Sequence, residues 1–114
     1  MLIEELVISH LSSLLSVPVY AEVPEDAGMR DSFVVVEKTG SGETNHLRDA
    51  TLAVQSYGAT LRNAAVLSHE VCEAMETLTE RDEVSRCALE SEYNWTDTAT
   101  KRYRSQAVFQ LTHY

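Results

Sequence analysis

Apolar residues recur at helical spacing in two stretches of the chain, from Leu2 to Leu15 and from Leu61 to Thr79. In the first stretch the apolar face holds Ile3, Leu6, Val7, Leu11 and Leu14. This spacing is typical of an amphipathic helix. At about 100° per residue, Ile8 and Leu15 widen the apolar arc to about 200°, more than one packing contact needs. We therefore predict a helix with a second contact surface, open to a neighbouring molecule.

The stretch from Leu61 to Thr79 is the clearest element in the sequence. One half of its helical wheel holds Leu61, Ala64, Ala65, Leu67, Val71, Cys72, Ala74, Met75 and Leu78. The other half holds Arg62, Asn63, His69, Glu70, Glu73, Glu76 and Glu80. Thr60 precedes the pattern and is predicted to cap the helix, because a threonine oxygen accepts a hydrogen bond from an amide of the first turn.

Five segments have strand-like patterns. They are Val19–Val23, Phe33–Val36, Ala50–Tyr57, Val84–Tyr93 and Tyr103–Leu111. Pro18 and Pro24 bracket the first segment, which favours the end or the edge of a sheet. The Phe33–Val36 segment is apolar on both faces, so it is predicted to be central or covered by a partner. The run Thr39–Arg48 contains two glycines and predicts a mobile loop or a hairpin tip.

The elements follow the order α-β-β-β-α-β-β, with turns predicted at Pro24–Gly28 and Asn94–Thr100. Because short connections join most of the strands, the sheet is predicted to be mainly antiparallel. With both helices on one of its faces, the fold is an α+β two-layer sandwich of about five strands. The other face of the sheet meets water or another molecule. At 114 residues the chain suffices for one hydrophobic core, and we predict a single domain over residues 1–114.

The composition is that of a globular protein, with 44% apolar and 24% charged residues. The 18 acidic residues outnumber the 9 lysines and arginines, and the formal charge of −9 repels phosphate groups and anionic lipids. This charge argues against broad nucleic-acid binding. Positive charge concentrates only at Lys101, Arg102 and Arg104, where a strand places the two arginines on one face. These residues are expected to be solvated strand positions, subunit-contact charges or a small basic patch.

The two cysteines, Cys72 and Cys87, match no metal or redox spacing and are expected to be small buried apolar residues. The first residues, Met1–Glu5, lack the features of a signal peptide. No window approaches the ~18 apolar residues of a membrane span. We therefore expect a protein made in a reducing cytoplasm, or used in an assembly built there, without a membrane partner.

The strongest candidate for chemistry is the run His69–Glu73, which resembles the zinc signature H-E-x-x-H but has Glu73 in place of the second histidine. A helix places His69 and Glu73 together on its polar face, where an exposed pair is the ordinary outcome.

Ser41 lies between two glycines but lacks the G-x-S-x-G frame of a serine nucleophile. His10 lies in the apolar arc of the first helix, where a ligand, a pH-sensitive contact and a core-edge histidine all remain open. We expect no enzyme, no metal and no cofactor.

Trp95 lies in a predicted turn, where a large aromatic side chain either folds back over the sheet edge or projects as a binding anchor. Negative charge gathers on the second helix and at its exit. The residues are Glu70, Glu73, Glu76, Glu80, Asp82 and Glu83. They form either a solvated face or, in a ring, the wall of a channel that repels DNA.

Several segments together resemble one protein family over the whole chain. Besides the opening helix, they are Val19–Pro24, Phe33–Gly40, Leu52–Tyr57, Tyr93–Thr98 and Tyr103–Phe109. The chain is similar to the small tail-completion or tail-terminator proteins of long-tailed bacteriophages and prophages, which resemble the lambda minor tail protein that ends tail growth. None of these segments is catalytic, so each is a signature of the fold.

The resemblance implies a structural subunit of the virion, assembled in the cytoplasm of the host bacterium. Such subunits form a ring, commonly a hexamer, that caps the tail tube and joins the tail to the head. The implied partners are other copies of the chain, the tail-tube protein and the head-tail connector proteins, with DNA passing through the lumen. The acidic composition fits this role, because a negative wall lets a polyanion slide without binding.

Two other classes of function remain open. One is a head-tail connector of the virion neck, either a stopper or an adaptor. The other is a non-viral binding domain, or a weak metal-dependent enzyme built around His69 and Glu73. For a subunit of a ring, the predicted contact residues are Phe33, Val34, Val36, Gly40, Ser41, Gly42, Glu43, Asn45, His46, Trp95, Arg102 and Arg104.

Overall fold

A computed structural model describes residues 2–25, 32–96 and 102–114 of the chain. Its elements are α1 (Ile3–Leu14), β1 (Val19–Tyr20), β2 (Phe33–Thr44), β3 (Leu47–Gly58), α2 (Leu61–Glu76), a 3₁₀ turn (Leu78–Glu80), β4 (Val84–Asn94) and β5 (Tyr103–His113). The predicted order of helices and strands is confirmed. Most of the predicted turn at Pro24–Gly28, the last four residues of the turn at Asn94–Thr100 and the charge of Lys101 lie outside the described residues.

The five strands form one sheet in the order β1-β2-β3-β5-β4. β1 pairs with β2 in parallel, and the other three pairs are antiparallel. The sheet is therefore mainly antiparallel, as predicted. β1 is shorter than the predicted segment Val19–Val23, since its ladder with β2 joins only Val19 to Val34 and Tyr20 to Val35.

The hydrophobic core lies between one face of the sheet and the two helices. Fully buried apolar side chains in it include Val7, Leu11, Val34, Val36, Leu52, Val54, Val71, Met75, Leu78 and Leu111. Both helices thus cover the same face, and the fold is the predicted two-layer α+β sandwich. Ile8 and Leu15 pack against this same core, so the wide arc of α1 is largely used within the chain, and Leu14 stays 55% exposed.

α2 begins where the sequence predicts, because the Thr60 side-chain oxygen accepts a hydrogen bond of 3.0 Å from the Asn63 amide. It ends at Glu76 and continues as the 3₁₀ turn. The predicted apolar half of α2 is wrong at two positions, since Leu61 and Ala65 are exposed. Both lie at the edge of the apolar arc of α2, where the helix no longer contacts the sheet.

Of the two alternatives predicted for Thr39–Arg48, the mobile loop is wrong, because β2 and β3 form one hairpin. Thr39 lies outside the ladder at an irregularity between Lys38 and Gly40. At the tip, Asn45 and His46 lie outside it, and both have positive φ angles, 52° and 68°. Two consecutive residues with positive φ are typical of a type I′ turn, which suits the twist of the flanking strands. The segment is therefore a hairpin tip, the second of the two predicted alternatives.

Candidate contact surfaces

Three predicted contact residues are buried inside the chain itself. Val34 and Val36 are 0% and 1% exposed and face the helices, while Phe33 is 2% exposed on the other side of the sheet. These side chains are therefore not exposed on the single chain, and their contact with a partner stays a prediction that no observation supports. The two apolar faces of β2 have a simpler cause: the helices cover one face, and an aromatic cluster within the chain buries the other.

That cluster extends across the sheet face opposite the helices, which we call the open face. Phe33 pairs with Tyr57, and Tyr57 pairs with Arg104, so the three side chains stand side by side on adjacent strands. The Phe33 and Tyr57 rings stack at 4.4 Å between centroids, and Tyr20 meets the Phe33 ring edge-on at 6.1 Å. The result is a row of aromatic contacts that continues to Arg104.

Arg104 joins this row to Trp95. Its guanidinium carbon lies 4.0 Å from the Trp95 ring centroid and 5.9 Å from that of Tyr57. It also donates hydrogen bonds to the Trp95 carbonyl oxygen at 2.6 Å and to the Tyr57 hydroxyl at 3.1 Å. Of the two predicted orientations of Trp95, the structure therefore has the one that folds back, although the ring stays 43% exposed. Arg102 is half-buried just before β5.

A second row on the open face is polar and nearly buried. Gln55 and Gln106 are 6% and 8% exposed, and the Gln55 amide donates to the Gln106 oxygen at 3.1 Å. Gln106 in turn donates to the Tyr93 hydroxyl, and the Tyr57 hydroxyl donates to the Gln55 oxygen at 3.3 Å. Buried amides need such partners. The bonds fix the side chains of both rows, so this part of the open face is rigid. Sequence reasoning missed both glutamines.

The predicted contact residues of the hairpin lie at the surface. Ser41, Gly42, Glu43, Asn45 and His46 are exposed and Gly40 is half-buried. Between the hairpin and the start of α1 is an open cleft of about 410 Å³, lined by both basic and acidic side chains, among them Lys38, Arg48, Glu43 and Asp49. The ladder between β2 and β3 holds this surface in place.

The sheet has two edges without a strand partner in the described part of the chain. On one side, β1 pairs with β2 only as far as Val35, so the outer side of residues 37–44 meets no strand. On the other side, β4 pairs with β5 alone. Unpaired strand edges present backbone amides and carbonyls that can pair with another chain. We call these surfaces the β2 edge and the β4 edge.

His10, left open by the sequence, is a structural residue. It is 6% exposed, and its Nδ1 accepts a hydrogen bond of 2.8 Å from the Arg81 guanidinium, which can only donate. The ring is therefore the neutral tautomer with its proton on Nε2, which lies 3.0 Å from the Ala74 carbonyl oxygen. His10 thus connects α1 to the end of α2.

The other candidates for chemistry are ordinary side chains. The His69 and Glu73 side chains lie 2.9 Å apart and are 76% and 65% exposed. Among the described residues, no three histidine, cysteine or acidic side chains are grouped to hold a metal ion. Burial and then the hydrogen bond to Glu92 raise the pKa of Cys72 to about 12, and burial raises the pKa of Cys87 to about 11. Both thiols are therefore protonated and weakly nucleophilic near neutral pH.

The acidic residues of α2 and its exit are exposed, as they would be on a solvated face or in a channel. Within the residues that the structure describes, neither helix has the length and apolar character needed to cross a membrane.

Comparison of the sequence with models of known protein families and with curated proteins finds no match.

Proposed function

We propose that the chain is a structural subunit of a ring, of the size of a hexamer, at the head-proximal end of a phage tail. There it stops growth of the tail tube and joins the tail to the head. The proposal combines the resemblance of the sequence with one structural observation, the two free edges of the sheet. It assigns the protein to the virion and gives it no catalytic role.

The two free edges lie on opposite sides of the domain, because β2 and β4 are separated by β3 and β5. A ring with head-to-tail contacts requires two different patches on each subunit, one to present and one to receive. The three antiparallel pairs from β2 through β3 and β5 to β4 also make β2 and β4 run in opposite directions. When copies stand side by side, β4 of one copy therefore meets β2 of the next in antiparallel orientation.

The charge of the chain supports the same proposal. With a formal charge of −9, a ring of several copies is strongly negative. A negative lumen lets DNA pass without holding it, because the wall and the phosphates repel each other.

Two measurements on the purified chain test this function. Light scattering over a range of concentrations is expected to show an oligomer of defined size. Electron microscopy of tail tubes polymerised with the chain present is expected to show tubes of limited length with a ring at one end. A strict monomer that leaves tube length unchanged contradicts the proposal. Binding to isolated heads, with no effect on tubes, would instead identify a connector of the neck.

A further inference from the structure

We infer that the ring closes by strand pairing between copies: the β4 edge of one subunit pairs with the β2 edge of the next, and Lys38 faces Glu92 across the contact. The inference rests on the proposed ring and names the surfaces that build it. We call this contact the seam.

Both edges are accessible for such pairing. In the β2 edge, Glu37, Lys38 and Thr39 are exposed, as are residues 41–43. In the β4 edge, Leu89 is 50% exposed and Tyr93 is 43% exposed. Large apolar side chains on an edge strand are a liability in a monomer, and pairing with a second strand would cover them.

Gly42 indicates that another backbone approaches the β2 edge. A Cβ atom on Gly42 would meet no atom within 4 Å, and one on Gly40 would meet only the Thr51 side chain, no closer than 3.6 Å. Neither glycine has a positive φ angle. Gly40 borders the irregularity of the β2–β3 ladder, a usual place for glycine, whereas nothing within the described chain explains Gly42. Glycine in a strand is common where a second backbone comes close.

Charge and side-chain direction fix the alignment of the seam. The Lys38 ammonium lies 3.8 Å from Glu4 of α1, and Glu92 accepts a hydrogen bond of 2.7 Å from Ser68 of α2. Both side chains are thus on the helix-bearing side of the sheet. Residues directly opposite in an antiparallel pair share a face, so Lys38 and Glu92 can stand opposite each other as an ion pair.

In this alignment, residues placed opposite each other at the neighbouring positions also lie on the same face of the sheet. It places Ser41 opposite Leu89, and both belong to the helix-bearing side, since they pair with Ala50 and Phe109 of the core. On the open face it places Gly42 opposite Ala88. The irregularities in the two ladders, at Lys38/Gly40 and at Leu89/Ser91, then fall at the same level of the seam. A second copy of the chain is therefore a better occupant of either edge than an unrelated strand.

Charge reversal tests the ion pair. In a chain with Glu4→Gln, which removes the carboxylate beside position 38, Lys38→Glu and Glu92→Lys are each expected to raise the concentration needed for ring formation by about tenfold, and combining the two is expected to restore assembly because the charges are exchanged. Arg62→Glu with Glu73→Lys, two exposed positions of α2 away from both edges, is the matched control and should assemble like the native chain. Circular dichroism of each variant separates loss of assembly from loss of folding.

Disulfide cross-linking tests the alignment without relying on charge. In a chain with Cys72→Ala and Cys87→Ala, Ser41→Cys together with Leu89→Cys is expected to give a ladder of covalent oligomers on oxidation. Ser41→Cys with Arg86→Cys is the control pair, because Arg86 pairs with Thr112 and lies on the open face. The control should give little cross-linking.

The outcomes separate the seam from the ring itself. If rings form but Ser41→Cys with Leu89→Cys cross-links no better than the control pair, the seam is wrong and the proposed function stands. If the native chain forms no ring and does not act on tail tubes, both fail. Cross-links to the tail-tube protein rather than between copies would overturn the assignment of a second copy.

Discussion

Arg104 is the residue that holds the two ends of the open-face row together. Its guanidinium packs against Trp95 and bonds to the Tyr57 hydroxyl and to the Trp95 backbone. Lysine has the same charge but not the planar fork that makes these contacts at once. Trp95 therefore depends on Arg104 for its position over the sheet.

Replacing Arg104 with alanine is expected to lower the free energy of unfolding by about 1–2 kcal/mol, the combined effect of one cation–π contact and partly exposed hydrogen bonds. Arg104→Lys should recover only part of this loss. Urea denaturation followed by Trp95 fluorescence measures both, and Arg86→Ala, an exposed position of β4, is the control. An Arg104→Ala chain as stable as the native one would show that the row contributes nothing.

The surroundings of Cys72 and Cys87 raise their thiol pKa values by different amounts, which predicts the order of their alkylation rates. In the unfolded chain both thiols have the ordinary pKa of about 9.0, whereas the pKa in the folded chain is about 11 for Cys87 and about 12 for Cys72. Alkylation by iodoacetamide at pH 8 is therefore expected to be roughly 10²–10³-fold slower in the folded chain, with Cys72 the slower residue. Peptide mapping by mass spectrometry measures each rate.

Glu92→Gln should speed alkylation of Cys72, whose thiol it contacts, and leave Cys87 unchanged. Because both folded pKa values are raised, the stability that the protonated thiols provide is complete below pH 9 and is lost as the pH rises towards 12. Equal rates in the folded and unfolded chains would contradict this account.

At this scale the sequence identified exposed residues better than buried polar ones. The exposure of His69, Glu73 and the hairpin residues follows from polarity and helical spacing. Gln55 and Gln106 are 51 positions apart in the sequence, and His10 and Arg81 are 71 positions apart. No local pattern predicts such pairs, because they depend on which strands and helices become neighbours.

β3 and α2 are in close contact at their junction, where Gly58 ends the strand. A Cβ atom on Gly58 would lie 2.5 Å from the Ala64 amide nitrogen, inside the first turn of α2. Backbone cannot yield as a flexible side chain can, so the residue at this position must be glycine if α2 is to keep its place against the sheet.

Gly58→Ala is expected to lower the free energy of unfolding by about 1–3 kcal/mol, as overpacking of a well-packed region does. Gly42→Ala is the matched control, since its added methyl group meets no atom within 4 Å, and the stability of the dilute protein should change little. Thermal denaturation of both variants provides the comparison. Similar losses for the two would mean that steric crowding at Gly58 is not the cause.

The helices were predictable from the sequence because the 3.6-residue period of α1 and α2 is a local property. The β2–β3 hairpin was predicted only as one of two alternatives, since Gly40 and Gly42 are usual loop signals and Asn45-His46 lacks the glycine that marks most two-residue turns. β1 was predicted as a strand but too long, because the local pattern does not show how far its pairing with β2 extends. The placement of β5 between β3 and β4 is a long-range choice that no segment reveals alone.

For the whole molecule, charge makes the most direct prediction. At physiological salt the chain is expected to give no gel shift of double-stranded DNA, because 9 basic against 18 acidic residues leave a net charge of −9. Lowering the salt should not create binding, since repulsion grows as screening weakens. Retardation that strengthens at low salt would contradict both this prediction and the role assigned to the lumen.

The strand order also determines when the β4 edge is completed during synthesis of the chain. β5 is synthesised after β3 and β4, yet it lies between them and is the only described strand that pairs with β4. Sheets built from distant segments form slowly, because the chain loses the entropy of closing long loops before any stabilising contact forms. A nascent subunit on the ribosome therefore has no finished β4 edge until β5 has emerged. In the ring that we propose, this order of synthesis would delay association between incomplete chains.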